Sequence, residues 1–209
     1  MTDLTKIFSN FVSQATLQNF NDEMIFFSRM SMIDWCGVAY AAKEEPVSEI
    51  VTKLIDEEQT KGLSRLISNG KEVSAKSAAF VNGTIGHALD YDDTHFDYLG
   101  HPSVVVLSAA LAISDKYKLS FEEFKNASII GMETSCRIGK WLGRKHYRSG
   151  FHITSTSGIF GATIAVSKLM GLSVEQIENA LCIATSHSSG LKEQFGSMVK
   201  PYHLSLIHI

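Results

Sequence analysis

Proline and cysteine are scarce in this chain, with three of each among 209 residues. So little proline excludes a collagen-like or proline-rich disordered chain and leaves long stretches free to be helical. Cys36, Cys136 and Cys182 are odd in number, far apart and without a CxxC pair. Structural zinc and iron–sulfur clusters need clustered thiolates, so neither is supported; the three are expected to be reduced core thiols of a cytoplasmic protein. No apolar run approaches the roughly 18 residues of a membrane span, and the segment MTDLTKIFSNFVSQ lacks the basic start and apolar centre of a secretory leader. Excess positive charge is missing too: Lys+Arg total 19 against 22 Asp+Glu, a net charge of −3. That argues against a nucleic-acid partner gripped by bulk charge. GxGxxG, GxxxxGK[ST], GxSxG, HExxH and the dipeptide His-Asp are all absent, which removes the usual nucleotide, hydrolase and metallohydrolase patterns.

What the chain has in quantity is helical periodicity. Leu4, Ile7, Phe8, Phe11 and Val12 make one amphipathic stripe, and Val47, Ile50, Val51, Leu54 and Ile55 make another behind Pro46. Asn21 and Asp22 cap a helix from Met24 to about Tyr40 that is apolar nearly all round and is therefore expected to be central. Ser74 caps a helix to about Leu89, and Val104–Tyr117 reads as another. Ser120 with Glu123, and Ser173 with Gln176, form capping boxes ahead of Phe121–Leu142 and Val174–Ser186. Gly171 suits a left-handed terminator for a helix over Ser155–Met170. Thr60–Val73 has neither period and reads as a connection. No segment alternates with strand period, so the fold class is all-α. Arg137, Lys140, Arg144 and Arg148 share one face if their helix persists that far, a solvated face or a cationic wall for an anionic substrate.

One segment concentrates chemistry. His87-Ala-Leu-Asp90-Tyr-Asp-Asp-Thr94-His95-Phe-Asp97-Tyr-Leu-Gly-His101-Pro-Ser103 holds four carboxylates and three imidazoles beside apolar helices. Asp90 falls at or just past a helix C-terminus, where the helix dipole disfavours a carboxylate's charge and suits a proton acceptor. His101 precedes Pro102, so its backbone is expected to be extended and its ring to project from a loop. A second histidine, His152, follows Gly150-Phe151 at a helix start. Late in the chain come Lys200, Pro201, Tyr202 and His203, a lysine and a histidine bracketing a proline.

These three sites, in this order, resemble the signatures of the MmgE/PrpD family: Ala79–Gly83 running into His87–His95 and Gly100–Ser103, then Gly150-Phe151-His152 with Gly158 and Gly161, then Lys200–His203. The resemblance covers residues 4–203. It implies a large all-helical domain with a smaller α+β lid, in a homodimer. It also implies lyase chemistry on a small polycarboxylate, as in 2-methylcitrate dehydratase and cis-aconitate decarboxylase, or epimerisation of an iminodisuccinate-type substrate. By resemblance the catalytic positions are Asp90, Thr94, His101, His152 and Lys200, with His203 behind them in substrate binding. The residue types fit proton transfer at a carbon next to a carboxylate. His101 would be the base, its basicity set by Asp90, and His152 the opposing acid. Lys200 and Thr94 would grip carboxylate oxygens. No metal or organic cofactor is required.

The family pattern continues past His203 with small residues, whereas this chain gives Leu204-Ser-Leu-Ile-His-Ile209. Residues 204–209 are therefore expected to be a non-native tail, residues 1–203 the helical domain, and the α+β lid to be missing. Two other classes compete. Asp92, Asp93 and Asp97 resemble the aspartate-rich stretch of a Mg²⁺-dependent all-α isoprenoid synthase, although no second such helix exists. The other is an inactive, truncated helical interaction module, docking through its basic face.

Overall fold

The computed structural model describes residues 4–206. Nine α-helices make up about two thirds of it: α1 (Leu4–Gln14), α2 (Asp22–Ala41), α3 (Pro46–Glu58), α4 (Ala75–Ile85), α5 (Pro102–Tyr117), α6 (Phe121–Arg148), α7 (Ile153–Leu169), α8 (Val174–His187) and α9 (Val199–Leu206). The fold is all-α, as the periodicity predicts. The capping chemistry is also where expected. Asn21 accepts from the Met24 amide and Ser74 from the Ser77 amide, and both capping boxes close. Gly171 has φ +62° after α7.

Two helices that are apolar on every side form the centre, α5 and α7. Residues 102–110 of α5 are all buried, and so are residues 153–159 of α7, as expected when a helix has no polar face to turn to water. Helix α7 lies against α6 at a very close approach. A methyl on Gly131 would meet the Gly161 carbonyl at 2.7 Å and Val106 Cγ1 at 2.7 Å, so only glycine lets these backbones approach. Helix α8 covers another side of α7 and clasps α1. Helix α9 packs mainly on α4, with Tyr202 edge-on to Phe80 at 6.0 Å.

Four expectations are corrected. Helix α2 is peripheral: Met32, Trp35, Val38 and Ala39 are buried, but Phe26, Phe27 and Ile33 are 57%, 59% and 68% exposed. The cysteines are free, yet Cys36 and Cys182 lie at the surface rather than in the core. The stretch 60–73 is a hairpin, with β1 (Ser64–Arg65) antiparallel to β2 (Glu72–Val73). Asn82 of α4 holds it by accepting from the Ile67 amide (3.0 Å) and donating to the Arg65 carbonyl (2.9 Å). Helix α6 breaks at Gly143, which has φ +68° and ψ −178°, so the four basic residues share no single face. Arg137 pairs with Glu133 and Lys140 with Asp97 (2.8 Å), while the turn beyond the break carries His146 and Tyr147 back over the start of α7. There His146 Nε2 lies 2.9 Å from Thr156 Oγ1.

Leu204 is fully buried and α9 runs on to Leu206; residues 207–209 of the expected tail lie outside the described residues. No helix among the described residues is long and apolar enough to cross a membrane.

Candidate active site

The site forms where the loop between α4 and α5 meets the starts of α7 and α9. After α4 the chain makes two turns and reaches Asp90 in a left-handed conformation, φ +57°, which an aspartate tolerates better than most side chains. Leu99 repeats this at φ +59°. The loop between them closes through paired backbone bonds of His95 and Gly100. His101 is the N-cap of α5, extended at φ −106°, ψ 102°. His152 is the N-cap of α7, and its backbone is fixed by donation to the Gly190 carbonyl at 3.0 Å. Each of these side chains thus sits at an element boundary held by a rigid helix.

Asp90, His101, His152 and Lys200 converge on one cavity of about 260 Å³, completed by Leu99, Tyr147, Thr154, Phe195 and Gly196. Lys200 donates directly to Asp90 Oδ1. His101 Nε2 lies 3.4 Å from the same oxygen. Behind the cavity, His203 Nδ1 faces His152 Nδ1 at 3.4 Å, so one of the two donates and the other accepts. Phe195 stands edge-on to His152 with centroids 4.9 Å apart and lies 5.4 Å below the Lys200 ammonium.

Thr94 is not brought to this cavity. It is exposed and lines a separate cavity of about 880 Å³ with Asp34, Asp93, His95 and Glu133; Asp90 belongs to both. The hydroxyl at the histidines is that of Thr154, whose Oγ1 accepts from the His101 amide at 3.1 Å. Thr154 lay in view in the sequence as the first of the small residues after His152. His87 and Asp92 also lay within the motif, and their spacing at a helix end is the signal that joins them: His87 Nδ1 is 2.7 Å from Asp92 Oδ1.

Electrostatics divide the histidines. Burial disfavours a charged His101, but the Asp92 carboxylate, 3.3 Å from its Nδ1, outweighs that and raises its pKa above the ordinary imidazole value. Asp92 rather than Asp90 therefore sets its basicity. His152 goes the other way: burial, with His87, His203 and Lys200 nearby, pushes its pKa down to about 2. Burial also lowers His203. Asp92 thus favours the proton on His101, while burial favours a neutral His152. Burial pushes the Cys136 thiol up to about 12, which disfavours its thiolate.

His87, Asp90, Asp92 and His101 present ligand atoms within 4.8 Å of one another. A divalent cation there would meet the Lys200 ammonium already on Asp90. Asp92, Asp93 and Asp97 do not converge either: Asp92 turns to the histidines, Asp93 accepts from Ser103, and exposed Asp97 pairs with Lys140. This is not the shared carboxylate face that a Mg²⁺–diphosphate site needs.

With the geometry in place, comparison with known proteins is decisive at the family level. The MmgE/PrpD N-terminal domain matches residues 6–208. The chain belongs to the MmgE/PrpD family. Within it, the chain is similar to cis-aconitate decarboxylase of Aspergillus terreus, with 26% identity over 204 residues, 94% of this chain and 42% of that protein. The mouse cis-aconitate decarboxylase is 27% identical over 210 residues, 98% of this chain and 43% of that protein. A cis-aconitate decarboxylase-like protein of Aspergillus oryzae is 27% identical over 207 residues, 95% of this chain and 43% of that protein. The chain spans less than half the length of these MmgE/PrpD relatives.

Proposed function

We propose that this domain carries the proton-transfer half of a decarboxylase active site for an unsaturated polycarboxylate of the cis-aconitate type. The carrying observation is that His101 and His152 line one cavity with Asp90 and Lys200, with His101 raised by Asp92 and His152 lowered by burial. Three relatives similar to this chain are cis-aconitate decarboxylases or like them, which supports decarboxylation over dehydration or epimerisation.

The chemistry follows from charge. When the carboxylate on the saturated carbon leaves as CO₂, its C–C bond breaks and the electron pair moves into the adjacent double bond. The double bond shifts, and negative charge accumulates at the far carbon and its carboxylate. That charge needs a cation on the carboxylate and a proton on the carbon. Lys200 has three donors, and Asp90 uses one; the others bind carboxylate oxygens. His101 delivers the proton from Nε2, the nitrogen on the Asp90 side. Two imidazoles pushed to opposite protonation states are the mark of an acid and its neutral partner. These preferences exchange the roles expected from sequence: His101 is the acid, while His152 with His203 behind it accepts or donates hydrogen bonds uncharged. The scheme uses no metal or organic cofactor.

The test is incubation with cis-aconitate in D₂O, following CO₂ and product by NMR. The expected result is CO₂ release with one solvent deuteron on the product, lowered by a factor of about 10² or more in His101→Ala. Deuterium entering unreacted substrate without CO₂ would replace this reading with epimerase- or dehydratase-type exchange.

A further inference from the structure

Two buried groups stand behind that chemistry without lining its cavity, His87 and Asp92. Asp92 is 3% exposed and His87 is 1% exposed. Asp92 Oδ1 lies 2.7 Å from His87 Nδ1 and Oδ2 lies 3.3 Å from His101 Nδ1, with the Asp92 carbonyl 3.1 Å from that same nitrogen. One carboxylate therefore faces the same ring atom of two imidazoles, which meet edge to face at 4.5 Å. Their opposite atoms, the two Nε2, both face Asp90 Oδ1, at 3.8 Å for His87 and 3.4 Å for His101. His87 Nε2 is buried and makes no hydrogen bond.

We propose that Asp92 is the positioning residue of this site: it holds His87 and His101 with hydrogen on Nδ1, and so fixes Nε2 as the atom through which His101 exchanges its proton. The proposal rests on the reading of His101 as proton donor. His87 Nδ1 is hydrogen-bonded to the Asp92 carboxylate, and His101 Nδ1 to the Asp92 carbonyl with Oδ2 in ion-pair range. Both oxygens only accept, so each ring must turn an N–H towards Asp92, and an imidazole's tautomer follows from the bond its other nitrogen makes. A buried carboxylate also demands a compensating charge. The groups facing His101 are Asp90, Asp92 and His87 from its own loop, Tyr147 from α6, His152 from α7 and Lys200 from α9. Lys200 neutralises Asp90, which leaves Asp92 as the charge that His101 answers. His87 is the weaker candidate for the proton because its side chain is 0% exposed against 14% for His101. The electrostatics agree: Asp92 is held well below the usual carboxylate range by the two histidines despite its burial, and burial lowers His87.

Two variants should move His101 in opposite directions. In Asp92→Asn, the charge is gone and the amide can donate to a ring nitrogen, so the His101 pKa should fall by about one unit or more, equal to a tenfold loss of proton affinity. In His87→Phe, Asp92 is left wholly to His101, whose pKa should rise. Both are read by NMR titration of the imidazole nitrogens, which also reports the tautomer, in the whole chain. With cis-aconitate, Asp92→Asn should lower kcat by about 10-fold or more with little change in KM, and its alkaline limb should move to lower pH. Unchanged His101 titration and tautomer in Asp92→Asn, or a downward shift in His87→Phe, overturns the proposal. If Asp92→Asn fails to fold, Asp92→Glu, which keeps the charge, should retain the raised titration, and its loss there would count equally against the idea. If no polycarboxylate is turned over by the unaltered protein, the decarboxylase reading falls while the NMR shifts still decide the role of Asp92.

Discussion

Lys200 and Asp90 are joined by a direct ammonium–carboxylate hydrogen bond across 110 positions of sequence. The lysine side chain is 11% exposed and the aspartate 56%, so the pair forms the rim of the cavity rather than part of its core. Helix α9, packed on α4, brings the lysine there, and the left-handed turn at Asp90 aims the carboxylate back to meet it. The contact therefore reports whether the last helix has docked, as well as supplying the cavity's positive charge.

Lys200→Met separates those two roles. Because the pair is partly exposed, folding stability should change by less than about 1 kcal/mol. Catalysis should suffer far more: loss of the cation on the charge-bearing carboxylate should reduce kcat/KM by about 10². Steady-state kinetics beside urea unfolding reads both. A kcat/KM within a few-fold of the unaltered protein would remove Lys200 from the reaction.

The histidines also set a pH signature for stability. His152 has its folded pKa depressed to about 2, so below the unfolded value of about 6.5 only the unfolded state takes up that proton. The unfolded state then binds more protons, and stability falls as pH falls, by roughly 1.4 kcal/mol per unit for one such group. His87 and His203, lowered by burial, act in the same direction. His101, raised, acts oppositely: its contribution is complete below the unfolded value and is lost as pH rises through its folded pKa. Urea midpoints should drop between pH 7 and pH 5, and His152→Leu should flatten that slope. An unchanged slope would mean that His152 is not held neutral.

A third expectation concerns Gly139 on α6. A methyl there would collide with the ring of Tyr98 and approach Ile153 Cγ2 at 3.2 Å. Tyr98 is fully buried, and its hydroxyl donates to the Thr154 carbonyl at 3.3 Å, pinning the acidic loop to the start of α7. Gly139→Ala should cost about 1–3 kcal/mol through overpacking and should also broaden or shift the His101 NMR signals. A thermal midpoint equal to that of the unaltered protein would show that the loop absorbs the methyl freely.

The residues that proved legible share a local reason. His101 and His152 each sit beside a proline or glycine boundary, so their place at a helix start could be read without knowing the packing; helix α9, which carries Lys200, was not expected from the sequence. The same reading failed where the answer depends on what lies opposite. All-round apolarity put α2 in the centre, but periodicity cannot say which faces find a partner, and α5 and α7 took that position. The hairpin's strands have two residues each, too short to show any period. The helix expected to end at Leu142 does break at Gly143, whose φ of +68° divides the basic residues between two faces. Thr94 lay within a few residues of His101 in sequence, yet the left-handed turns at Asp90 and Leu99 put it on the far side of the loop.

The two threonines can be set against each other. Thr154 Oγ1 is the acceptor for the His101 amide, at 3.1 Å within a buried helix start. Thr154→Val keeps the shape and removes the acceptor, leaving that N–H without its partner at a cost of about 1–3 kcal/mol. Because the amide belongs to His101 itself, the loss should appear in activity as well as stability: a displaced proton donor at this level corresponds to about 10- to 100-fold in kcat. Thr154→Ser keeps an oxygen there and should recover most of it. Thr94 is exposed and does not line the cavity that holds the histidines, so Thr94→Val should stay within about 0.5 kcal/mol, roughly twofold, in both measurements. If the order is reversed, with Thr94→Val crippling turnover and Thr154→Val harmless, the substrate lies in the larger acidic cavity on the other side of Asp90, and the chemistry must be reassigned to the groups that line it.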